Sequence, residues 1–195
     1  MWKGAIFRFK TLILYKLYYY LYWRHLNREF IFNGKKYRYF YHPYNTTWKN
    51  ERKVEIPIIY ELLEQNQGKR ILEVGRVLPH YFSVSHDVLD KYEKGKNVIN
   101  EDVVDFTPPG KYDLIVSIST LEHIGWNEAP KEPEKAAKAI ENLKRCLNPG
   151  GKIVFTVPIG QNPHLDNLIR NKTIRTDKLY YFNEIIIGVI TNPNI

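Results

Sequence analysis

The residues of this chain best suited to chemistry stand at the ends of short apolar runs. Ile71-Leu72-Glu73-Val74-Gly75 is an apolar, β-rich stretch with an acid near its end and a glycine after it. Such a junction lets backbone approach a ligand closely while the carboxylate accepts hydrogen bonds. Ser85-His86-Asp87-Val88-Leu89-Asp90 also ends in an acid, and an acid closing the second strand of such a sheet is the usual partner of ribose hydroxyls. A third run, Val98-Ile99, leads into Asn100-Glu101-Asp102-Val103-Val104-Asp105-Phe106. A fourth, Tyr112-Asp113-Leu114-Ile115-Val116-Ser117-Ile118, opens into Ser119-Thr120-Leu121-Glu122-His123. Ligands of open parallel sheets bind beyond the carboxyl ends of the strands, which predicts Ser117 to His123 on the rim of a small-molecule cleft.

These tips need a sheet to hold them. The fourth run, a helical segment, and Ile153-Val154-Phe155-Thr156-Val157 entered through Asn148-Pro149-Gly150-Gly151 read as a β-α-β unit. The expected fold class is α/β: a Rossmann-like, doubly wound, mostly parallel sheet with helices on both faces, preceded by an N-terminal basic, aromatic extension of helix plus hairpin. Only nine residues, Arg76 to Val84, separate the first two runs, whereas a parallel crossover usually takes a dozen or more. The first crossover helix is therefore a single turn or absent. After Pro158 there remain 37 residues, in which Lys178-Leu-Tyr-Tyr-Phe182 and Ile185-Ile-Ile-Gly-Val-Ile190 supply the last one or two strands. The sheet then either stops short at its C-terminal strands or ends in a minimal edge.

Charge divides the chain. Of 29 Lys and Arg, residues 1–53 hold twelve against Glu29 and Glu51, a balance of +10, while the remainder, with seventeen basic and nineteen acidic residues, carries −2. Nine of the 15 tyrosines share that segment. The domains read as 1–53, a cap or membrane-surface arm, and 54–195, the Rossmann-like domain. Thr11 to Trp23 is apolar and aromatic, but Lys16 interrupts it and it falls short of the roughly 20 residues a bilayer requires. Lys3, Lys10, Arg24, His25 and Arg28 share one side of a helical wheel. Three readings of this arm stay open. It packs as a cap helix, it lies on an anionic membrane surface through residues 1–30, or, with less support, it binds nucleic acid.

Phe30-Ile31-Phe32, the turn Asn33-Gly34 and Lys35 to Tyr41 read as a β-hairpin able to serve as a lid. His42 to Thr47 reads as loop, and Glu51 to Gln65 as a helix whose early part Pro57 disturbs and which Gly68 closes. The single cysteine, Cys146, has no partner for an internal disulfide, and no metal cluster is expected. That favours a reducing, cytoplasmic setting, with peripheral membrane attachment through the arm.

Taken in order, Ile71 to Gly75, Asp90, Glu101 to Phe106, Tyr112 to Ser117, Leu121-Glu122-His123 and Leu147 to Gly151 resemble the class I S-adenosylmethionine-dependent methyltransferases, of the type 11-like kind. The resemblance covers residues 70 to about 158. It implies that Glu73 and Gly75 lie against the methionine end of the cofactor, that Asp90 binds the ribose, and that Asp102 and Val103 meet the adenine. Ser117, Ile118 and Ser119 would run beside the methionine and sulfonium, and His123 matches a frequent family histidine, a weak candidate for catalysis that serves equally as a helix-start residue. Val77 and Pro79 stand where the family often has glycines, so the methionine carboxylate would meet Arg76, or His80 and Tyr81. The implied activity is methyl transfer to a small-molecule, glycan or lipid-linked acceptor. The competing reading is a non-catalytic protein of the same fold that uses its basic arm to bind a membrane, nucleic acid or partner. An RNA acceptor lacks an Asn/Asp-Pro-Pro-Tyr-like motif, because Ser117-Ile118-Ser119-Thr120 stands in that place.

Overall fold

A computed structural model describes Lys16 and residues 28–193 of the chain. Apart from Lys16 and Arg28 to Phe30, the arm of residues 1–30 lies outside the described residues. Contacts divide the chain into two units, one up to Pro57 and one from Ile58.

In the first unit β1 (Glu29–Phe32) pairs antiparallel with β2 (Lys35–Arg38). The turn between them needs two consecutive left-handed residues, and Asn33 (φ 50°) with Gly34 (φ 76°) supplies them. Phe30 is buried, stacking on Tyr37 at 5.3 Å and packing against Tyr39 at 5.0 Å. His42 to Thr47 is more ordered than a plain loop. A 3-10 segment covers Tyr44–Lys49, kinked where Asn45 and Thr46 take positive φ, because the buried Thr47 hydroxyl donates to Phe40 O at 3.2 Å and accepts from His42 N at 2.7 Å.

Helix α1 (Arg52–Glu64) is regular well before Pro57. A proline inside a helix leaves the carbonyl four residues earlier without its donor. Here that carbonyl, Lys53 O, accepts from Phe40 N at 2.8 Å, so the expected early disturbance does not occur. Gly68, at φ 80°, sits in the turn that follows the helix.

The second unit is built on a seven-stranded sheet in the order β5-β4-β3-β6-β7-β9-β8. Its strands are β3 (Ile71–Val74), β4 (Asp87–Leu89), β5 (Val98–Ile99), β6 (Tyr112–Ile118), β7 (Leu147–Pro158), β8 (Lys178–Phe182) and β9 (Ile185–Thr191). All neighbouring pairs from β5 to β7 are parallel, and β9 runs antiparallel to both β7 and β8. The mostly parallel, Rossmann-like sheet is thus present, and the last two runs of the sequence form its edge hairpin.

Helix α2 (Lys135–Arg145) connects β6 to β7, and α3 (Pro163–Arg170) follows β7. The buried stripe Ala136, Ala139, Ile140 and Leu143 of α2 follows helical spacing. It packs with Leu165 and Ile169 of α3 on Leu72, Val74, Ile115, Phe155 and Val157 from one face of the sheet. Asn162 caps α3 by accepting from Leu165 N at 3.0 Å, and Pro163 takes the first helical position. By the pleat, Ile71, Glu73, Leu114, Val116 and Ile118 turn to the opposite face. There the last turns of α1, Leu78 and residues 82–86 border a cavity of about 420 Å³. Between β3 and β4 stands only a three-residue 3-10 turn, Leu78–His80, as the short crossover requires.

Candidate functional site

The carboxyl ends of β3, β4, β5, β6 and β7 gather at one edge of the sheet, and the loops leaving them are pinned by side chains. Gly75 follows β3 at φ 85°, a left-handed conformation that disfavours any side chain, and its N–H donates to Leu89 O at 2.8 Å. Thr120, from the loop after β6, lies directly over it: a Cβ on Gly75 would meet Thr120 Oγ1 at 2.2 Å. Ser119 is buried at φ 39°, and Thr156 of β7 holds it by accepting its N–H at the carbonyl (3.0 Å) and at Oγ1 (3.2 Å).

Glu73 is fully buried. Its Oε1 accepts from Val77 N at 2.8 Å and Leu78 N at 2.7 Å, while Oε2 lies 2.8 Å from His86 Nε2. The carboxylate thus takes over backbone donors that a glycine-rich loop would offer elsewhere. Asp90 does the same one strand away: Oδ2 accepts from Arg76 N at 2.9 Å, and Oδ1 from Tyr92 N at 2.9 Å and Glu93 N at 2.7 Å. Arg76 Nη1 and His80 Nε2, the groups expected to meet a carboxylate, both lie 3.0 Å from Glu93 Oε2.

Asp102 belongs to a four-charge cluster. Its Oδ2 lies 2.7 Å from Lys135 Nζ and 2.8 Å from Lys91 Nζ, and Glu128 Oε2 lies 2.9 Å from Lys91 Nζ and 2.5 Å from Lys135 Nζ. Burial pushes Asp102 and Glu128 upward, but the hydrogen bonds from Lys135 and Lys91 outweigh it and hold both carboxyls below their ordinary values. Lys91 is raised, chiefly by Asp102 and then Glu128. Lys135 is raised as well, burial being overcome by the same two acids.

Glu73, Gly75, Asp90 and Asp102 are therefore joined through the loops after β3, β4 and β5, with Lys91 following Asp90 directly. Val103 instead turns into the core, and its carbonyl accepts from Asn142 Nδ2 at 2.9 Å. Ser117 and Ile118 are fully buried at the end of β6, and among the described residues the Ser117 hydroxyl has no hydrogen-bond partner. His123 stands apart. Its side chain is half exposed, with Nδ1 2.9 Å from Asn127 Nδ2 and Nε2 3.6 Å from Glu122 Oε1.

Sequence reasoning did not find Lys91, Glu128, Lys135, Glu93 or the role of His86. Lys91, adjacent to Asp90, and His86, inside the run that Asp90 ends, stand beside a visible signal. The others come from elements whose spacing says nothing of where their side chains converge. Among the described residues no group of three or more His, Cys, Asp and Glu is arranged to hold a metal, and no helix is long and apolar enough to cross a membrane.

A family model described as a methyltransferase domain matches residues 48–184, well over half of the chain. Among curated proteins no sequence matches. Among solved structures the chain is similar to an rRNA methylase from Streptococcus thermophilus, at 12% identity and TM-score 0.50, covering 74% of this chain and 100% of that one. It is also similar to the N-methyltransferase NodS from Bradyrhizobium japonicum WM9, at 16% identity and TM-score 0.47, covering 70% and 93%. A third is magnesium protoporphyrin IX methyltransferase (ChlM) from Synechocystis PCC 6803 with bound SAM, at 12% identity and TM-score 0.47, covering 87% and 88%. With the family model matched across the sheet and its acid-tipped rim, the chain belongs to the class I S-adenosylmethionine-dependent methyltransferases.

Proposed function

We propose that the chain transfers a methyl group from S-adenosylmethionine to a small-molecule, glycan or lipid-linked acceptor, with the cofactor lying along the ends of β3, β4, β5 and β6. The observation that carries this reading is Asp90. An ionised carboxylate has about four lone-pair sites. Three backbone N–H groups occupy Asp90, so among the described residues one site on Oδ2 is left at the strand end for a ribose hydroxyl.

The rest of the rim fits the same group. Gly75 follows β3 at the edge in a left-handed turn, and the carboxylate of Asp90 supplies an acidic character suited to a sulfonium or an ammonium. In this reading Gly75 borders the methionine with Glu73 buried behind it, Asp90 holds the ribose, Asp102 borders the adenine, and the backbone of Ser117, Ile118 and Ser119 runs beside the sulfonium. The cofactor when bound supplies an activated methyl group, so the protein's work is alignment of donor and acceptor. His123 serves as a base only for an acceptor that must lose a proton. The Ser117-Ile118-Ser119-Thr120 run supports an acceptor other than an exocyclic base amine, and the basic arm of residues 1–30 supports work at an anionic membrane surface.

Calorimetric titration with S-adenosylhomocysteine tests the cofactor site. Micromolar binding is expected, with Asp90→Ala weakening it at least tenfold. Unchanged affinity in the variant would refute the ribose assignment, and absence of heat at millimolar ligand with the fold intact would favour the non-catalytic alternative. Sedimentation with anionic liposomes, with and without residues 1–30, tests the membrane arm, and equal recovery in the supernatant for both removes it.

A further inference from the structure

The segment between β3 and β4, residues 75–86, is too short for a crossover helix and makes only the Leu78–His80 turn. A loop without a helix must find partners for its amides elsewhere, because buried N–H groups left unpaired are costly. Leu78 finds its partner on one oxygen of Glu73, a carboxylate with no solvent exposure, and Val77 on the same oxygen at 2.8 Å with a second, longer contact to Gly75 O at 3.1 Å. A buried carboxylate is itself costly unless its remaining oxygen is compensated. That compensation comes from His86, whose Nε2 lies 2.8 Å from Glu73 Oε2 and whose side chain is 9% exposed.

The other charged and titratable groups bordering His86 across the cavity are Tyr60, Glu64 and Lys69. Glu64 accepts from Gln67 Nε2 at 3.1 Å and Lys69 donates to Asn66 at 2.9 Å, while the Tyr60 ring packs on Phe82. None of these contacts reaches Glu73, so among the described residues His86 is the side chain that addresses its second oxygen.

We propose that His86 is the positioning residue for the cofactor loop: by holding Glu73 it fixes the carboxylate on which the Val77 and Leu78 amides hang, in place of the missing crossover helix. The inference rests on the cofactor reading for its effect on binding, but not for its effect on the loop.

Amide hydrogen exchange followed by NMR on the full chain tests it, with Ile115 and Val116 of β6 as internal references. In His86→Leu, exchange at Val77 and Leu78 is expected to accelerate about tenfold or more relative to those references, the scale set by loss of a charged hydrogen bond. S-adenosylhomocysteine affinity is expected to fall about tenfold in parallel. His86→Gln keeps an N–H within reach of Glu73 and is expected to restore both quantities to within about threefold of the natural chain. Unchanged exchange in the leucine variant, acceleration shared equally by Ile115 and Val116, or a glutamine variant no better than leucine would each overturn the proposal. Should His86→Leu fail to fold, His86→Asn, whose amide is shorter, gives the same comparison, and wild-type exchange at Val77 and Leu78 in that variant would overturn it. If S-adenosylhomocysteine does not bind the natural chain, the exchange measurement still decides the role of His86.

Discussion

Strands β6, β7 and β9 run for seven, twelve and seven residues and carry helices α2 and α3 on one face, whereas β3, β4 and β5 run for only four, three and two. The long half is held by extended backbone ladders and by a core whose central members, among them Phe155, Ile153, Ile115 and Leu143, are fully buried. The short half has few ladder bonds to spend. Its loops hang instead on carboxylates: Glu73 on Val77 and Leu78, Asp90 on Arg76, Tyr92 and Glu93, Asp102 on two lysines. Apolar packing is non-directional and sums with area, while these polar contacts are few, directional and individually decisive. A molecule built this way keeps its apolar packing in one half and its polar, carboxylate-pinned loops in the other.

The sharpest test of that contrast is Phe155→Ala. Removing this fully buried ring is expected to lower unfolding free energy by about 3–5 kcal/mol in denaturant titrations. Affinity for S-adenosylhomocysteine per folded molecule should stay within about twofold. A binding loss as large as that of Asp90→Ala would break the division between halves.

Asp102→Asn probes the polar half. At pH 7 it is expected to cost about 1.5–3 kcal/mol, the scale of a hydrogen bond to a charged group. Because the folded carboxyls of Asp102 and Glu128 lie below their ordinary values, the stability they supply is present above the unfolded carboxylate range and is lost as pH falls through the folded values. The gap between natural chain and variant should therefore shrink in denaturation midpoints measured from pH 7 down toward pH 3. A gap that is constant with pH would mean that the lysine contacts do not hold these acids.

His123→Ala is expected to have the smallest effect. Exposed and outside the linked loops, it should shift stability by less than about 0.5 kcal/mol and cofactor-product affinity by less than twofold. A tenfold loss of affinity would place His123 within the pinned rim and redraw the boundary.

Much of the long half is legible in the chain's own pattern. Tyr112 to Ile118, Ile153 to Val157 within β7 and the strands 178–182 and 185–191 are runs of apolar residues long enough for local propensity and burial to agree, while the expected turn at Pro149-Gly150-Gly151 lies inside β7. The Asn33-Gly34 turn is equally explicit, since few other pairs accept two left-handed residues. The disturbance expected at Pro57 does not occur, because its remedy, Phe40 N–H on Lys53 O, is a contact between residues distant in sequence. Val103 reads as a neighbour of a ligand but packs in the core, since one step along the chain turns a side chain away from its acidic neighbour.

Sequence by itself determined the family, the order of the acid-tipped strands, the shortness of the first crossover and the division of charge between arm and domain, because each is written in local composition and spacing. Tertiary structure decided what the acids do. A carboxylate's position at a strand end follows from local pattern, but its partners come from wherever the sheet brings amides, imidazoles and ammonium groups within 3 Å. Lys135 reaches Asp102 across 33 residues and His86 reaches Glu73 across 13. Hydrogen bonds and ion pairs are fixed by distance in space, and no periodicity in the chain records that distance.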